Sequence, residues 1–387
     1  SRATLRRSGA LWFLHAEATF GDYWRIRLAS VLPAEGGPGG GDPFRDVHTA
    51  YAHDFLKRQN VVPERLWNAC REIRALAVTD VRVQTHRASH ASPTLVRTEL
   101  GSAGALVRGL VFDGVRVRAS LRDRLLTLPE VHLRHGDKAL RASAEVQFPD
   151  RLVQAHVDSD LPAPYVNNLL PDAVLRTFAR ERLFVDGDLS CRLTFGPSEL
   201  RTPDRRISGP ISFTRATLKG VPLHRGRFQL ERDGDLWQIK NIDLQPGRRQ
   251  PTGNVRGELR VDMATQRIAW NGDAAVSLLD LRALSPDDID RFLLSLVQRG
   301  PPPRFQGDAT WIDGDSSSLR ADGEVQVEDM IYNGAWMDRL DADVHVRGGR
   351  IEMTDMRLLR PEGTAGGRLV VDLDENQVNM DLESSIH

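Results

Sequence analysis

The sequence predicts a mainly β chain: an elongated antiparallel β-sheet, a β-taco or groove, made of repeated hairpin units with short α-helices interspersed. Three observations predict it. Apolar residues recur at every second position over short runs, the period of half-buried strands. Gly, Pro, Asp and Asn punctuate those runs as turn residues do. The same arrangement of glycines and apolar positions then returns later in the chain, as in repeat architectures.

Taken in order, residues 1–41 read as a strand hairpin and a Gly-rich loop, with 36–41 a flexible linker. Residues 42–76 read as a helical insert with helices around 47–57 and 63–74. A first β-repeat unit spans 77–160, where Val115 and Val117, Val131 and Leu133, and Val146 and Phe148 alternate with polar neighbours. A helical spacer follows over 161–182. Its helix is expected over 165–180, because Val166, Leu169, Leu170, Val174, Leu175 and Phe178 keep helical spacing, with Pro171 breaking or kinking it. The second unit, 183–284, holds Leu189, Cys191 and Leu193, then Ile211 and Phe213, Phe228 and Leu230, Trp237 and Ile239, Leu259 and Val261, and Ile268 and Trp270. A second spacer, 285–302, is expected to start a helix at Ser285 as N-cap and Pro286 as first helical residue. Asp287, Asp288 and Asp290 suit its positive end, and Gly300 with three prolines stops it. The third unit, 303–387, carries Val325 and Val327, Val344 and Val346, Ile351 and Met353, and Val378, Met380 and Leu382, and reads as truncated.

The repeat can be followed residue by residue. Gly209, Ile211, Phe213, Gly220, Leu230, Trp237, Ile239, Ile242 and Leu244 return 114 positions later as Gly323, Val325, Val327, Gly334, Val344, Ile351, Met353, Met356 and Leu358. Gly257, Leu259, Val261, Asp262, Ile268 and Trp270 return 110 positions later as Gly367, Leu369, Val371, Asp372, Val378 and Met380. A blurrier copy occupies the first unit, where Glu145 to Phe148 and the following run resemble the later hairpin.

Composition narrows the function. With 52 Lys+Arg against 53 Asp+Glu, the formal net charge of −1 provides no cationic field for phosphates, so nucleic acid is not an expected partner. Cys70 and Cys191 cannot build a disulfide framework. No apolar run approaches the ~18–20 residues of a membrane-spanning helix. Because the chain opens on Ser1 and ends beside a strand-like run, it reads as a piece of a longer protein whose leader or anchor lies elsewhere.

Motifs that could carry chemistry resolve into ordinary surface and turns. His86, His90, His132 and His135 bring no matching Cys or carboxylate set for a metal. Asp313, Gly314 and Asp315 resemble a cation loop, yet Ser318 stands at its central glycine position and the flanks read as strands, so a hairpin turn is expected. Asp186, Asp188, Asp341 and Asp343 alternate on strand faces rather than forming an acid and base pair. Neither catalysis nor a cofactor or metal is therefore expected.

Leu218-Lys219-Gly220-Val221-Pro222-Leu223, the run from Trp237 to Leu244 and Gly257-Glu258-Leu259-Arg260-Val261-Asp262 resemble the repeats of AsmA-like proteins, which belong with the TamB-type bridge-like envelope proteins of Gram-negative bacteria. Leu169-Leu170-Pro171 followed by Gly187-Asp188-Leu189 resembles the spacers of larger members. The similarity covers about 76–387 as a pattern without a signature motif. It implies a periplasmic protein, held to the inner membrane by an N-terminal helix absent here, that carries phospholipid acyl chains between the inner and outer membranes in outer-membrane biogenesis and lipid homeostasis. The residues expected to line the lipid groove are Ile211, Phe213, Phe228, Leu230, Trp237, Ile239, Leu259, Val261, Val325, Val327, Val344 and Val346. Alternation alone fits a closed core equally well. Two other functions fit the pattern: a periplasmic scaffold or chaperone for the assembly of outer-membrane proteins, with outer-membrane assembly proteins as partners, and a closed β-solenoid that binds glycans.

Overall fold

Two-residue loops fix the hairpin registers. Gly136, Gly234 and Gly348 take φ of 62°, 59° and 62°, each just after a strand whose end pairs across the loop: His135 with Lys138, Asp233 with Leu236 and Arg347 with Arg350. Glycine at the first loop position is the II′ arrangement, whose twist matches that of the flanking strands.

The computed structural model describes residues 2–8, 11–20, 24–33, 73–75, 79–86, 95–107, 109–122, 124–147, 151–169, 179, 182–199, 206–284, 293–332, 334–372, 375 and 377–386. They divide into two units. The first contains strands β1 (Arg2–Ser8), β2 (Leu11–Phe20), β3 (Trp24–Pro33), β4 (Ile73–Ala75), β5 (Thr79–His86), β6 (Leu95–Ser102), β7 (Ala105–Val107), β8 (Leu110–Phe112), β9 (Gly114–Arg122), β10 (Leu125–His135), β11 (Lys138–Gln147) and β12 (Arg151–Ser159). Neighbours along the main ladder are antiparallel except β3 and β5, which pair in parallel. The intervening 34–78 are long enough for the crossover that a parallel pair needs. Strands β4, β7 and β8 form a small separate sheet. The expected helix over 63–74 is corrected at its end, because Ile73 and Arg74 lie in β4, where strand pairing with β7 replaces the helical turn. The remainder of that helix, and the one around 47–57, fall outside the described residues.

Ala105, Phe112 and Leu161 are fully buried in the first unit. Tyr165 meets Phe112 edge-on at 5.4 Å, stacks on His135 at 4.3 Å and hydrogen-bonds its Nδ1 at 3.1 Å. Tyr165 belongs to helix α1 (Ala163–Leu169), the described part of the helix expected over 165–180; Pro171 falls outside the described residues.

Strands β13 (Leu183–Val185), β14 (Leu189–Phe195) and β15 (Ser198–Glu199) follow. The second unit then runs β16 (Ile207–Leu218), β17 (Val221–Asp233), β18 (Leu236–Pro246), β19 (Asn254–Asp262), β20 (Arg267–Ala275), α2 (Leu278–Leu284), β21 (Leu296–Gln298), β22 (Arg304–Ile312), β23 (Asp315–Tyr332), β24 (Ala335–Arg347), β25 (Arg350–Arg360), β26 (Gly363–Asp372) and β27 (Gln377–Ile386). From β16 each strand pairs antiparallel with the next, and β22 takes the place beside β20 while β21 pairs with β23. No described pairing joins β27 back to β16, so this sheet is an open meander.

The expected Ser285 cap lies outside the described residues; Leu293 and Leu294, just past that stretch, are helical, and a further helix, α2, precedes the spacer. Ser277 Oγ accepts the Asp280 N–H at 3.2 Å and donates to Asp280 Oδ2 at 2.6 Å, capping α2 eight residues upstream. The far end of the expected helix is corrected: Leu296–Gln298 is strand β21, paired with β23. Residues 285–292 fall outside the described residues.

The internal repeat is structural. Backbone with positive φ returns at the same places: Arg215 and Asp329 (51° and 46°), Gly220 and Gly334 (92° and 82°), Asn241 and Asp355 (53° and 49°), and Gly257 and Gly367 (146° and 154°). Bulges return as well. The shift between the Arg227–Asp243 and Gln229–Lys240 pairs reappears between Asp341–Arg357 and Asp343–Thr354. The shift between Ile239–Leu259 and Ile242–Gly257 reappears between Met353–Leu369 and Met356–Gly367.

Candidate functional site

Residues opposite one another in a ladder share a face, so register alone decides which side chains converge. In the second unit one cross-strand row runs Gly209, Leu230, Ile239, Leu259, Trp270, Ala309, Ala321, Val346, Ile351, Val371, Val378 without a polar residue. The adjacent row on the same face runs Ile242, Gly257, Gly272, Gly307, Gly323, Val344, Met353, Leu369, Met380. All twelve sequence-predicted lining residues fall on this face.

Their surroundings differ. Phe213, Leu230, Val327 and Val344 are buried, and the other eight are half-buried. Phe213 packs with Ala216, Val221 and Leu223 beneath Val185 and Leu189. Val327, its counterpart 114 residues on, packs with Met330, Leu278 and Leu293 beside Leu281 of α2. At these two equivalent places the protein fills its own apolar face. Strands β19, β20, β25 and β26 contribute mostly half-buried apolar residues instead: Leu259, Val261, Ile268, Trp270, Ile351, Met353, Leu369 and Val371.

Sequence reading missed the glycine row. A β carbon on Gly257, Gly272, Gly307 or Gly323 would overlap a backbone carbonyl of the neighbouring strand: that of Asn271, Arg256, Asp322 or Gln306. Four consecutive strands therefore approach one another across a strip of bare backbone, the device that creases a sheet. The four glycines are separated by irregular spacings, so only the pairing register reveals that they are neighbours.

A cation lies on the apolar face beside Trp237. The Arg232 guanidinium sits 4.8 Å from the Trp237 ring centroid, and its Nε donates to Gly234 O at 2.8 Å. The reverse face is ionic. Arg304 grips Asp273 through two bonds of 2.7 and 3.0 Å. Both carboxylate oxygens of Asp322 accept from Arg347 Nη2 at 2.8 Å, and Oδ1 contacts His345 Nδ1 at 2.8 Å; these bonds hold its carboxyl below the ordinary carboxylate range. Two shallow depressions open on this face around the equivalent bulges, one beside Arg225, Arg227 and Asp243 and the other beside Arg339, Asp341 and Arg357.

No His, Cys, Asp and Glu cluster suited to a metal occurs among the described residues. The Asp313 to Asp315 segment is the expected hairpin turn, with Gly314 at φ 82° between the paired Ile312 and Asp315. Among the described residues no helix is long and apolar enough to cross a membrane. No protein-family model, curated protein or solved structure matches this chain.

Proposed function

We propose that this protein is a non-enzymatic lipid carrier that takes phospholipid acyl chains along the apolar face of its second unit. The observation that carries the reading is the pair of unbroken apolar rows, crossing strand after strand with many of their side chains left half-covered. An acyl chain asks for continuous apolar contact and no hydrogen bonds, which these rows offer without any special residue. Headgroups stay in water beside the ionic margins. The resemblance to AsmA-like and TamB-type repeats extends the proposal to a setting: the periplasm of a Gram-negative cell, with lipid moving between inner and outer membranes.

The test is retained lipid. Native mass spectrometry of the purified protein is expected to show bound phospholipid, and Leu259→Asp or its repeat counterpart Leu369→Asp to lose it, because a carboxylate is costly against hydrocarbon. Arg260→Asp, on the ionic face, is expected to keep it. Phe213 and Val327 are unsuitable probes, since each sits in a cluster that holds the fold. Lipid retained equally by all variants, with folding verified by urea titration, overturns the reading.

A further inference from the structure

The strands of the second unit end alternately at two margins, and among the described residues the margins differ in charge. The turns 234–235, 263–266 and 313–314 lie at one margin; 219–220, 247–253 and 361–362, with α2 and the run 293–303, lie at the other. The first margin is acidic and its carboxylates are occupied. Asp262 Oδ1 accepts the Ala264 and Thr265 N–H groups at 3.0 and 3.3 Å, Asp315 Oδ1 accepts that of Ser317 at 3.0 Å, and Asp233 pairs with Arg206 at 3.1 Å.

The second margin is basic and its cations are unspent. Lys219, Arg248 and Arg249 are exposed, and among the described residues none of the three meets a carboxylate. The carboxylates in the described connections of this margin are Asp280, buried in the α2 cap, and Glu362, paired with Arg360 at 3.3 Å. Apolar side chains are exposed at the same margin: Leu279, Phe184, Val297 and Trp336 at 75%, 59%, 53% and 43%. Phe184 and Val297 hold equivalent places, since β13 pairs Leu183 with Leu218 and β21 pairs Leu296 with Tyr332, 114 residues on. Register sets Val297, Ile331 and Trp336 in one row, and the Arg299 guanidinium lies 5.2 Å from the Trp336 ring centroid. Between β16 and β23 lie six strand spacings, roughly 29 Å along the sheet at ~4.8 Å each. No single small ligand spans both places.

We propose that this margin of the second unit docks on an anionic bilayer surface, with Phe184, Val297 and Trp336 entering the headgroup layer and Lys219, Arg248 and Arg249 meeting its phosphates. A tryptophan stacked with an arginine has the apolar body and polar rim that an interfacial layer accommodates, and uncompensated cations are drawn to anionic headgroups. This proposal does not rest on lipid carriage by the apolar face.

The experiment sediments the intact protein with phosphatidylcholine vesicles that contain or lack phosphatidylglycerol. Binding is expected with phosphatidylglycerol alone and is expected to weaken as salt is raised. Arg248→Ser combined with Arg249→Ser is expected to weaken it about 30-fold. Val297→Ser combined with Trp336→Ser is expected to weaken it too, with the salt dependence kept. All four side chains are exposed, so urea midpoints are expected to match the parent's. Leu259→Asp and Leu369→Asp, on the apolar face, are expected to bind vesicles as the parent does, which separates this proposal from lipid carriage. Absence of binding, equal binding to neutral vesicles, indifference to both double substitutions, loss confined to the apolar-face variants, or a concentration-dependent dimer that the margin substitutions abolish overturns the proposal.

Discussion

The second and third copies of the repeat, β16–β20 and β23–β27, share their registers and bulges but fill their apolar faces differently. In the second copy the Phe213 ring lies over Gly226, its cross-strand partner; at the same place the third copy has Val327 opposite Leu340. Arg232 over Trp237 becomes Val346 opposite Ile351. Large with small has been exchanged for medium with medium, and a cation–aromatic pair for two aliphatics. The comparison teaches that backbone devices hold the register, through positive-φ residues and bulges, and that the face tolerates any contents whose paired volumes fit.

If backbone devices dominate, breaking the glycine row should cost more than any change of face contents. Gly307→Val places a β carbon on the Asp322 carbonyl and the Gly323 Cα, and is expected to remove well over about 3 kcal/mol of stability or prevent cooperative folding. Gly101→Ala, with nothing within 4 Å of the new β carbon, is expected to cost less than about 1 kcal/mol. Urea midpoints of the two variants measure the contrast, and similar midpoints would refute the crease.

A smaller effect tests volume exchange. Gly226→Leu alone drives a side chain into the Phe213 ring and is expected to cost about 1–3 kcal/mol. Adding Phe213→Val rebuilds the pair of the third copy. The double variant is then expected to be more stable than Gly226→Leu by about 1–3 kcal/mol, a coupling that a double-mutant cycle in urea reads directly.

The strands were legible because their apolar residues alternate: each run named from that pattern lies in a strand wherever its residues are described, from Val115 in β9 to Leu382 in β27. The repeat was legible because its glycines stand where loops and bulges need positive φ, as at Gly220 and Gly257. The common face of the twelve lining residues followed from the same alternation. Helix α2 escaped because its residues were read as the end of the second β unit, and only the Ser277–Asp280 bonds mark its cap. The burial of Phe213 and Val327 escaped because it depends on β13 and β14 pairing beside β16 and on α2 packing near Val327, contacts that strand periodicity does not encode.

The ionic face gives the smallest effect and a signature in pH. In the third copy Asp322 is held by Arg347 and His345, whereas at the corresponding places the second copy has Ser208, Asp233 and Glu231, the last paired with Lys240 at 2.6 Å. Hydrogen bonds from Arg347 first, then His345, depress the Asp322 pKa in the folded state. A depressed carboxyl contributes stability that is complete above its unfolded pKa of about 3.9 and disappears as pH falls through the folded value. Asp322→Asn is therefore expected to lower stability at pH 7 by less than about 1 kcal/mol, since the pair is half-exposed and screened. The gap to the parent should close as the solution is acidified below the ordinary carboxylate range. Urea midpoints of both proteins across that range decide it: a gap that persists or widens in acid would mean that Asp322 acts through packing, and that the two copies differ in contents without differing in electrostatics.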